Sequence, residues 1–255
     1  MSADPSGEDA LLARIVPELP GGRHTVLGPG DDAAVVATPD GRVVVTTDVL
    51  VDGRHFRREW STGYDVGYRA AVQNLADVAA MGARSTALVV AVVCPPGGGG
   101  GWLSDLARGP AQAGAAHHPP ARGVGGDLSG GSELAVAVTA LGDLAGHAPV
   151  TRSGARPGDV LAHAGVRGRS AAGLAVLSAG RDGLGAGRDV FDEVVGAYLR
   201  PVCPTAAGPA AAAAGCTAML DVSDGLLRDA ERLARASGVA IDIDPPDVAF
   251  PDELA

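Results

Sequence analysis

The sequence predicts an α/β (α+β) chain of two domains, and three observations carry that expectation. Its 255 residues can bury more than one modest core, and 46% of them are apolar, too many for wholesale disorder. β-rich runs alternate with stretches of helical spacing along the length. The loop-like run Gly142 to Pro149 separates two such alternations. We therefore expect a split β-α-β sheet domain over residues 1–146 and an α/β domain over 147–255.

Glu8 to Val16 has the spacing of a short helix that stops near Pro17. Ala33–Ala37 and Arg42–Thr47 are β-rich and are separated by the turn residues Pro39-Asp40-Gly41. From Tyr64 to Met81 the apolar positions Tyr68, Ala71, Leu75 and Val78 fall on one helical face, with Gly82 placed to end the helix. Thr86–Cys94 and Glu133–Leu141 are strand candidates. Between them, five glycines (Gly97 to Gly101) and His117-His118-Pro119-Pro120 predict a poorly ordered loop that interrupts any helix over Trp102–Ala116. The histidine pair belongs to that loop composition rather than to a metal site. In the second half, Val160–Ala164, Ala218–Asp221 and Val239–Ile243 are expected as strands, and Ser170–Ala179, Val190–Leu199, Ala206–Ala214 and Leu226–Ala236 as helices.

Charge removes several function classes. The net charge is −10, which disfavours nucleic acid and anionic membrane as partners. All 20 basic residues are arginine, so Schiff-base chemistry and a Walker phosphate loop, which both need lysine, are excluded. The cysteines Cys94, Cys203 and Cys216 are widely spaced, against both a disulfide framework and a thiolate zinc site. The first residues lack a basic start followed by an apolar core, and the longest strongly apolar run, Ala87 to Cys94, is far too short to span a bilayer. A cytoplasmic location is expected.

Aspartates recur beside glycines and at strand ends: Asp31-Asp32, Asp48 after Thr46-Thr47, Asp77 late on the long helix, Asp127 after Gly125-Gly126, and Asp221 and Asp224 around Ser223. Each alone has a simpler role as turn former, helix cap or solvated side chain. Together they ask for a counter-charge. Carboxylates about 4 Å apart repel by about 4 kcal/mol at an effective dielectric near 20, so a converged set needs divalent cations. Oxygen ligands without clustered His or Cys suit Mg²⁺ with phosphates and water, an arrangement for phosphoryl transfer.

The residues also carry a resemblance. Gly28-Pro-Gly-Asp-Asp-Ala-Ala-Val35, Thr46-Thr-Asp-Val-Leu-Val-Asp-Gly-Arg-His-Phe56 and Asn74-Leu-Ala-Asp-Val-Ala-Ala-Met-Gly-Ala83 open the series. Gly125-Gly-Asp127, Thr151-Arg-Ser-Gly-Ala-Arg-Pro-Gly-Asp159, Ser170-Ala-Ala-Gly-Leu174 and Asp221-Val-Ser-Asp-Gly-Leu226 follow in order. The chain resembles the thiamine-monophosphate kinases, within the superfamily of aminoimidazole ribonucleotide synthetase and selenophosphate synthetase. The resemblance implies transfer of the ATP γ-phosphate onto thiamine monophosphate, giving thiamine diphosphate. It implies Mg²⁺ on Asp32, Asp48, Asp77, Asp127, Asp221 and Asp224, with Thr46 and Thr47 adding metal-side oxygens. Gly126, Arg152 and Ser223 would contact the nucleotide, and His55 the substrate. No side chain is expected to form a covalent intermediate. A homodimer built by the N-terminal sheets is implied, with ATP near the interface.

The family usually continues past the position of Ala255, so the resemblance also implies a chain truncated at its C-terminus, with an incomplete second domain. Two other readings stand beside the kinase: a truncated Mg-ATP-binding relic without turnover, and another superfamily member with a different acceptor.

Overall fold

The computed structural model describes residues 14–18, 22–27, 35–96, 99–116, 120–180 and 188–244, the side chains of 188–190 excepted. Of the first expected helix only its end, with a 3-10 turn at Val16–Glu18, falls among them. A small two-stranded sheet, β1 (Thr25–Leu27) with β2 (Val35–Val36), precedes the main sheet.

The main sheet has four strands: β3 (Val44–Val51), β4 (Arg84–Cys94), β5 (Arg122–Gly130) and β6 (Ala135–Asp143), in the order β3-β6-β4-β5. β6 runs antiparallel to both β3 and β4, whereas β4 and β5 are parallel. A parallel neighbour requires a crossover, and α2 (Gly100–Ala115) supplies it. Helix α1 (Gly63–Ala80) lies beside α2 on the same face. Its start is fixed by Thr62, whose hydroxyl accepts from the Asp65 backbone N–H at 3.2 Å while Asp65 accepts from the Thr62 N–H at 2.9 Å. Val66, Ala70, Leu75 and Val78 of α1 pack with Leu50, Leu88, Val136, Val138 and Ala140 of the sheet into the main core.

Here one expectation is corrected. Among the described residues of the segment expected as a loop, α2 occupies 100–115 and β5 begins at Arg122, whereas Gly97 and the run His117-His118-Pro119 lie outside the described residues. Leu103, Leu106, Ala107, Pro110 and Ala113 form a buried helical stripe, and Gly109 within α2, like Gly67 on α1, serves close contact. A Cβ at Gly67 would meet the Leu106 carbonyl oxygen, and one at Gly109 would meet the Tyr68 backbone N, so bare backbone lets α1 and α2 touch.

Among the described residues no helix covers the opposite face of the sheet. Alternation along β3 puts Val44, Thr46, Asp48 and Leu50 under the helices and Val45, Thr47 and Val49 on the open face. Val45 and Val49 there are 57% and 51% exposed.

The second half packs α3 (Arg169–Ala179) against α4 (Arg188–Leu199) around Val176, Val194 and Val195. The short α5 (Ala207–Ala213) sits where a Cβ on Gly208 would meet the Ala79 carbonyl of α1, and α6 (Leu226–Ser237) follows. Arg200, just past α4, pairs with the buried Asp65 at 2.5 Å and so ties this half to α1. The expected strands at 160–164, 218–221 and 239–243 are a second correction. None has a ladder partner among the described residues, and they run as irregular chain, with Val160 90% exposed. β composition alone does not make a strand; the backbone needs a neighbour to pair with. Among the described residues no helix is long and apolar enough to cross a membrane.

Candidate active site

The site begins where β3 passes the end of α1. Thr46 and Asp48, two residues apart on β3, point toward the helix layer, and Asp77 lies one turn before the C-terminus of α1. Thr46 Oγ1 donates to Asp77 Oδ2 at 2.8 Å. Asp221 reaches the same place from the chain between α5 and α6. Burial first, and then the charges of Asp221 and Asp48, push the Asp77 carboxyl up to about 6, against the Thr46 hydrogen bond and the Arg152 guanidinium. Asp221 is raised as well, chiefly by burial and then by Asp229, with Arg152 again opposing. Four segments distant in sequence therefore deliver Asp48, Asp77, Arg152 and Asp221 to one half-buried basin.

Cys203 borders it. Burial, followed by the charges of Asp221 and Asp77, lifts its thiol to about 11. It is protonated at neutral pH and so is not poised as a nucleophile.

Asp224 is held differently. Its Oδ2 pairs with Arg232 at 2.6 Å, and Arg232 bonds Asp229 at 2.7 Å. Asp229, buried in the first turn of α6, accepts the Asp224 backbone N–H at 2.9 Å. Ser223 is exposed on the same loop. His55 is exposed in the turn after β3; the Val51 N–H donates to its Nδ1 at 3.0 Å, which leaves the proton of a neutral ring on Nε2. Arg69 holds that turn by donating to the His55 carbonyl at 2.8 Å while lying over the Tyr198 ring at 4.4 Å.

Three of the expected residues, Gly126, Asp127 and Thr47, are not brought into the basin. Gly126 shares a face with Asp48, but the cross-strand row runs Asp48, Val138, Val90, Gly126. Three inter-strand spacings separate them by about 14 Å. Asp127 is on the other face, at the end of the row Val49, Ala137, Ala91, Asp127, with its Oδ2 accepting from the Ser129 hydroxyl at 2.9 Å. Thr47 shares that open face, where its hydroxyl donates to the Val138 carbonyl and accepts from Thr139. Asp32 lies outside the described residues.

What the basin can hold follows from its donors. Among the described residues no three His, Cys, Asp or Glu side chains form a metal cage by themselves. The basin instead offers two or three carboxylates beside one guanidinium. Mg²⁺ is commonly bound this way, through one or two carboxylates, retained waters and substrate phosphates. Burial first, and then neighbouring carboxylates, raise Asp77 and Asp221 against the pull of Arg152, so a cation between them would favour their charged forms. The donor set fits the ion.

Comparisons with known proteins agree with this chemistry. Residues 30–144 match the family described as AIR synthase related protein, N-terminal domain, and residues 156–255 its C-terminal domain. The chain is 48% identical over 237 residues to a thiamine-monophosphate kinase of Mycobacterium tuberculosis, covering 93% of this chain and 68% of that protein. It is 45% identical over 229 residues to one from Corynebacterium glutamicum, covering 88% and 67%. The crystal structure of thiamine-monophosphate kinase from Stenotrophomonas maltophilia K279a superposes with a TM-score of 0.81 at 30% identity, covering 96% of this chain and 76% of that one. A structure described as AaThiL complexed with AMPPCP and TMP superposes at 0.76 with 26% identity, covering 100% and 78%. The chain belongs to the thiamine-monophosphate kinase family, a family of phosphotransferases.

Proposed function

We propose that the chain phosphorylates thiamine monophosphate with ATP, giving thiamine diphosphate and ADP by direct in-line transfer. The observation that carries this reading is the convergence of Asp48, Asp77 and Asp221 with Thr46 and Arg152. A phosphate oxygen of the substrate attacks the γ-phosphorus, the bond to the β–γ bridging oxygen breaks, and ADP leaves. No nucleophilic side chain is required, and the protonated Cys203 is the wrong species for one.

Asp48, Asp77 and Asp221 would hold Mg²⁺, which neutralises phosphate charge and orients the two phosphates when bound. Thr46 fixes Asp77 through Oδ2. The Arg152 guanidinium meets a nucleotide phosphate by charge-assisted hydrogen bonding, with Gly126 and the exposed Ser223 on the nucleotide side. His55, donating from Nε2, faces the thiamine phosphate. Asp224 would join by leaving Arg232, whose charge remains matched by Asp229.

The open sheet face supports a homodimer. Val45, Val49 and Val93 project from it, exposed among the described residues. β3 and β5 are the two outer strands, so a two-fold that sets β3 of one protomer beside β5 of the other repeats itself at both edges. That pairing would bring Asp127 of the partner subunit to Thr47 and Asp48, which is how Asp127 and Thr47 enter the site. The three unpaired thiols fit a reducing, cytoplasmic setting.

Incubation of the purified chain with ATP, Mg²⁺ and thiamine monophosphate tests the reading by chromatography. Thiamine diphosphate and ADP should appear in equal amounts and vanish with chelator. Absence of both at high enzyme concentration would overturn it.

A further inference from the structure

If Arg152 receives the nucleotide, what holds its loop in place becomes a functional question. The loop is anchored at its start, where Val150 N–H donates to the Met81 carbonyl at 3.1 Å and Met219 N–H to the Thr151 carbonyl at 3.0 Å. Past Arg152 the Thr151 hydroxyl donates to the Ser153 carbonyl at 2.9 Å, and a distant side chain adds a longer-range anchor. Ser237, the last residue of α6, donates its hydroxyl to the Arg152 carbonyl at 2.8 Å and accepts from the N–H groups of Gly154 and Ala155, each at 3.2 Å. One hydroxyl thus satisfies three backbone groups of a loop that lies more than eighty positions earlier in the chain.

The same helix is bound at its other end to the second site loop, through the Asp224 N–H on Asp229 and the Arg232 bridge between Asp224 and Asp229. A helix of 12 residues is a rigid spacer of about 18 Å. It braces from outside two loops that also meet directly, since Met219 N–H of the loop that carries Asp221 bonds the Thr151 carbonyl beside Arg152. The approach on the far side of the Arg152 loop is also close, since a Cβ on Gly154 would meet the Thr217 carbonyl.

We propose that Ser237 is a positioning residue for nucleotide binding, acting through Arg152 by pinning its loop to the end of α6. The proposal rests on the kinase reading of the basin. Ser237 is half-buried, so Ser237→Ala leaves a folded protein in which water takes over the freed groups. The guanidinium then loses preorganisation.

The test uses the full chain with Mg²⁺: wild type, Ser237→Ala, Ser237→Thr, Arg152→Ala and the Arg152→Ala/Ser237→Ala double variant. Equilibrium ATP affinity is measured together with KM for both substrates. Loss of a net hydrogen bond's worth of order should weaken ATP about five-fold to ten-fold in Ser237→Ala, with kcat and the KM for thiamine monophosphate within about two-fold. Ser237→Thr, which keeps the hydroxyl, should restore ATP affinity. The double variant should bind ATP no worse than Arg152→Ala alone. Unchanged ATP affinity in Ser237→Ala, failure of Ser237→Thr to restore it, or full additivity with Arg152→Ala would each overturn the proposal. A wild-type chain that binds no ATP is a separate outcome; it contradicts the kinase reading itself, and the proposal with it.

Discussion

Asp77→Asn is expected to lower kcat about 1000-fold, the loss of several kcal/mol of transition-state stabilisation, and yet to make the metal-free protein more stable at neutral pH. The two effects share one cause. Asp77 is packed beside Asp48 and Asp221, and its carboxyl is raised from 3.8 to about 6 in the folded chain. The folded state therefore binds the proton more tightly than the unfolded one. The stability tied to the protonated form is fully present below 3.8 and is lost as pH rises through about 6. Asparagine carries no charge to lose, so its advantage should appear in thermal melts at neutral pH and shrink as the solution is acidified below the unfolded value. With Mg²⁺ and ATP the order should reverse, because the wild type gains more ligand stabilisation than the variant. A variant less stable than wild type without metal, or one with full activity, would contradict this account of the basin.

Mixing two inactive variants should restore activity. Asp48→Asn and Asp127→Asn each remove a residue placed in the proposed site, but on different faces and near opposite edges of one sheet. If Asp127 serves the partner's site, a hybrid dimer contains one site with both carboxylates intact and one with neither. Random exchange makes half the dimers hybrid, so about a quarter of wild-type turnover should return. If both residues act within one protomer, every site in the mixture lacks one of them, and activity stays at the level of the separate variants. Co-refolding followed by the coupled ADP assay distinguishes the two. Sedimentation of each variant confirms the dimer that the exchange needs.

Much of the fold was legible from local pattern. The helical spacing of Tyr68, Ala71, Leu75 and Val78 and the apolar run before Cys94 reappear as α1 and β4, because each segment's own periodicity matches the face it buries. α2 was hidden for a physical reason. Its first turn contains Gly100 and Gly101 and its interior holds Pro110, residues that ordinarily break helices. The spacing of Leu103, Leu106, Pro110 and Ala113 was the competing signal. What overrode propensity was tertiary contact: the helix is bare where it crosses Gly67. The strands expected at 160–164, 218–221 and 239–243 failed for the converse reason, since strand formation depends on a neighbour that composition does not reveal.

The site was legible as a set of residue types, but not as a geometry. Motif order placed Asp48, Asp77, Asp127 and Asp221 side by side. Strand parity then divides them: Gly126 pairs with Val90 and Asp127 with Ala91, one step along and hence on the other face. That division needs the register, which no single strand states. The roles of Asp229 and Ser237 were not visible at all. Both act on backbone groups, of Asp224 and Arg152, and they meet those groups only when α6 lies across both loops.

In the proposed enzyme the carboxylates around Asp77 form one basin, completed by a divalent cation together with a nucleotide. Electron paramagnetic resonance of Mn²⁺ in place of Mg²⁺, titrated with a non-hydrolysable ATP analogue, tests it most directly. The account predicts that wild type takes up Mn²⁺ tightly only with the analogue, and that Asp77→Asn and Asp221→Asn each weaken uptake at least about ten-fold, while Glu231→Gln on the exposed face of α6 does not. Equal Mn²⁺ uptake by wild type, Asp77→Asn and Asp221→Asn would contradict it.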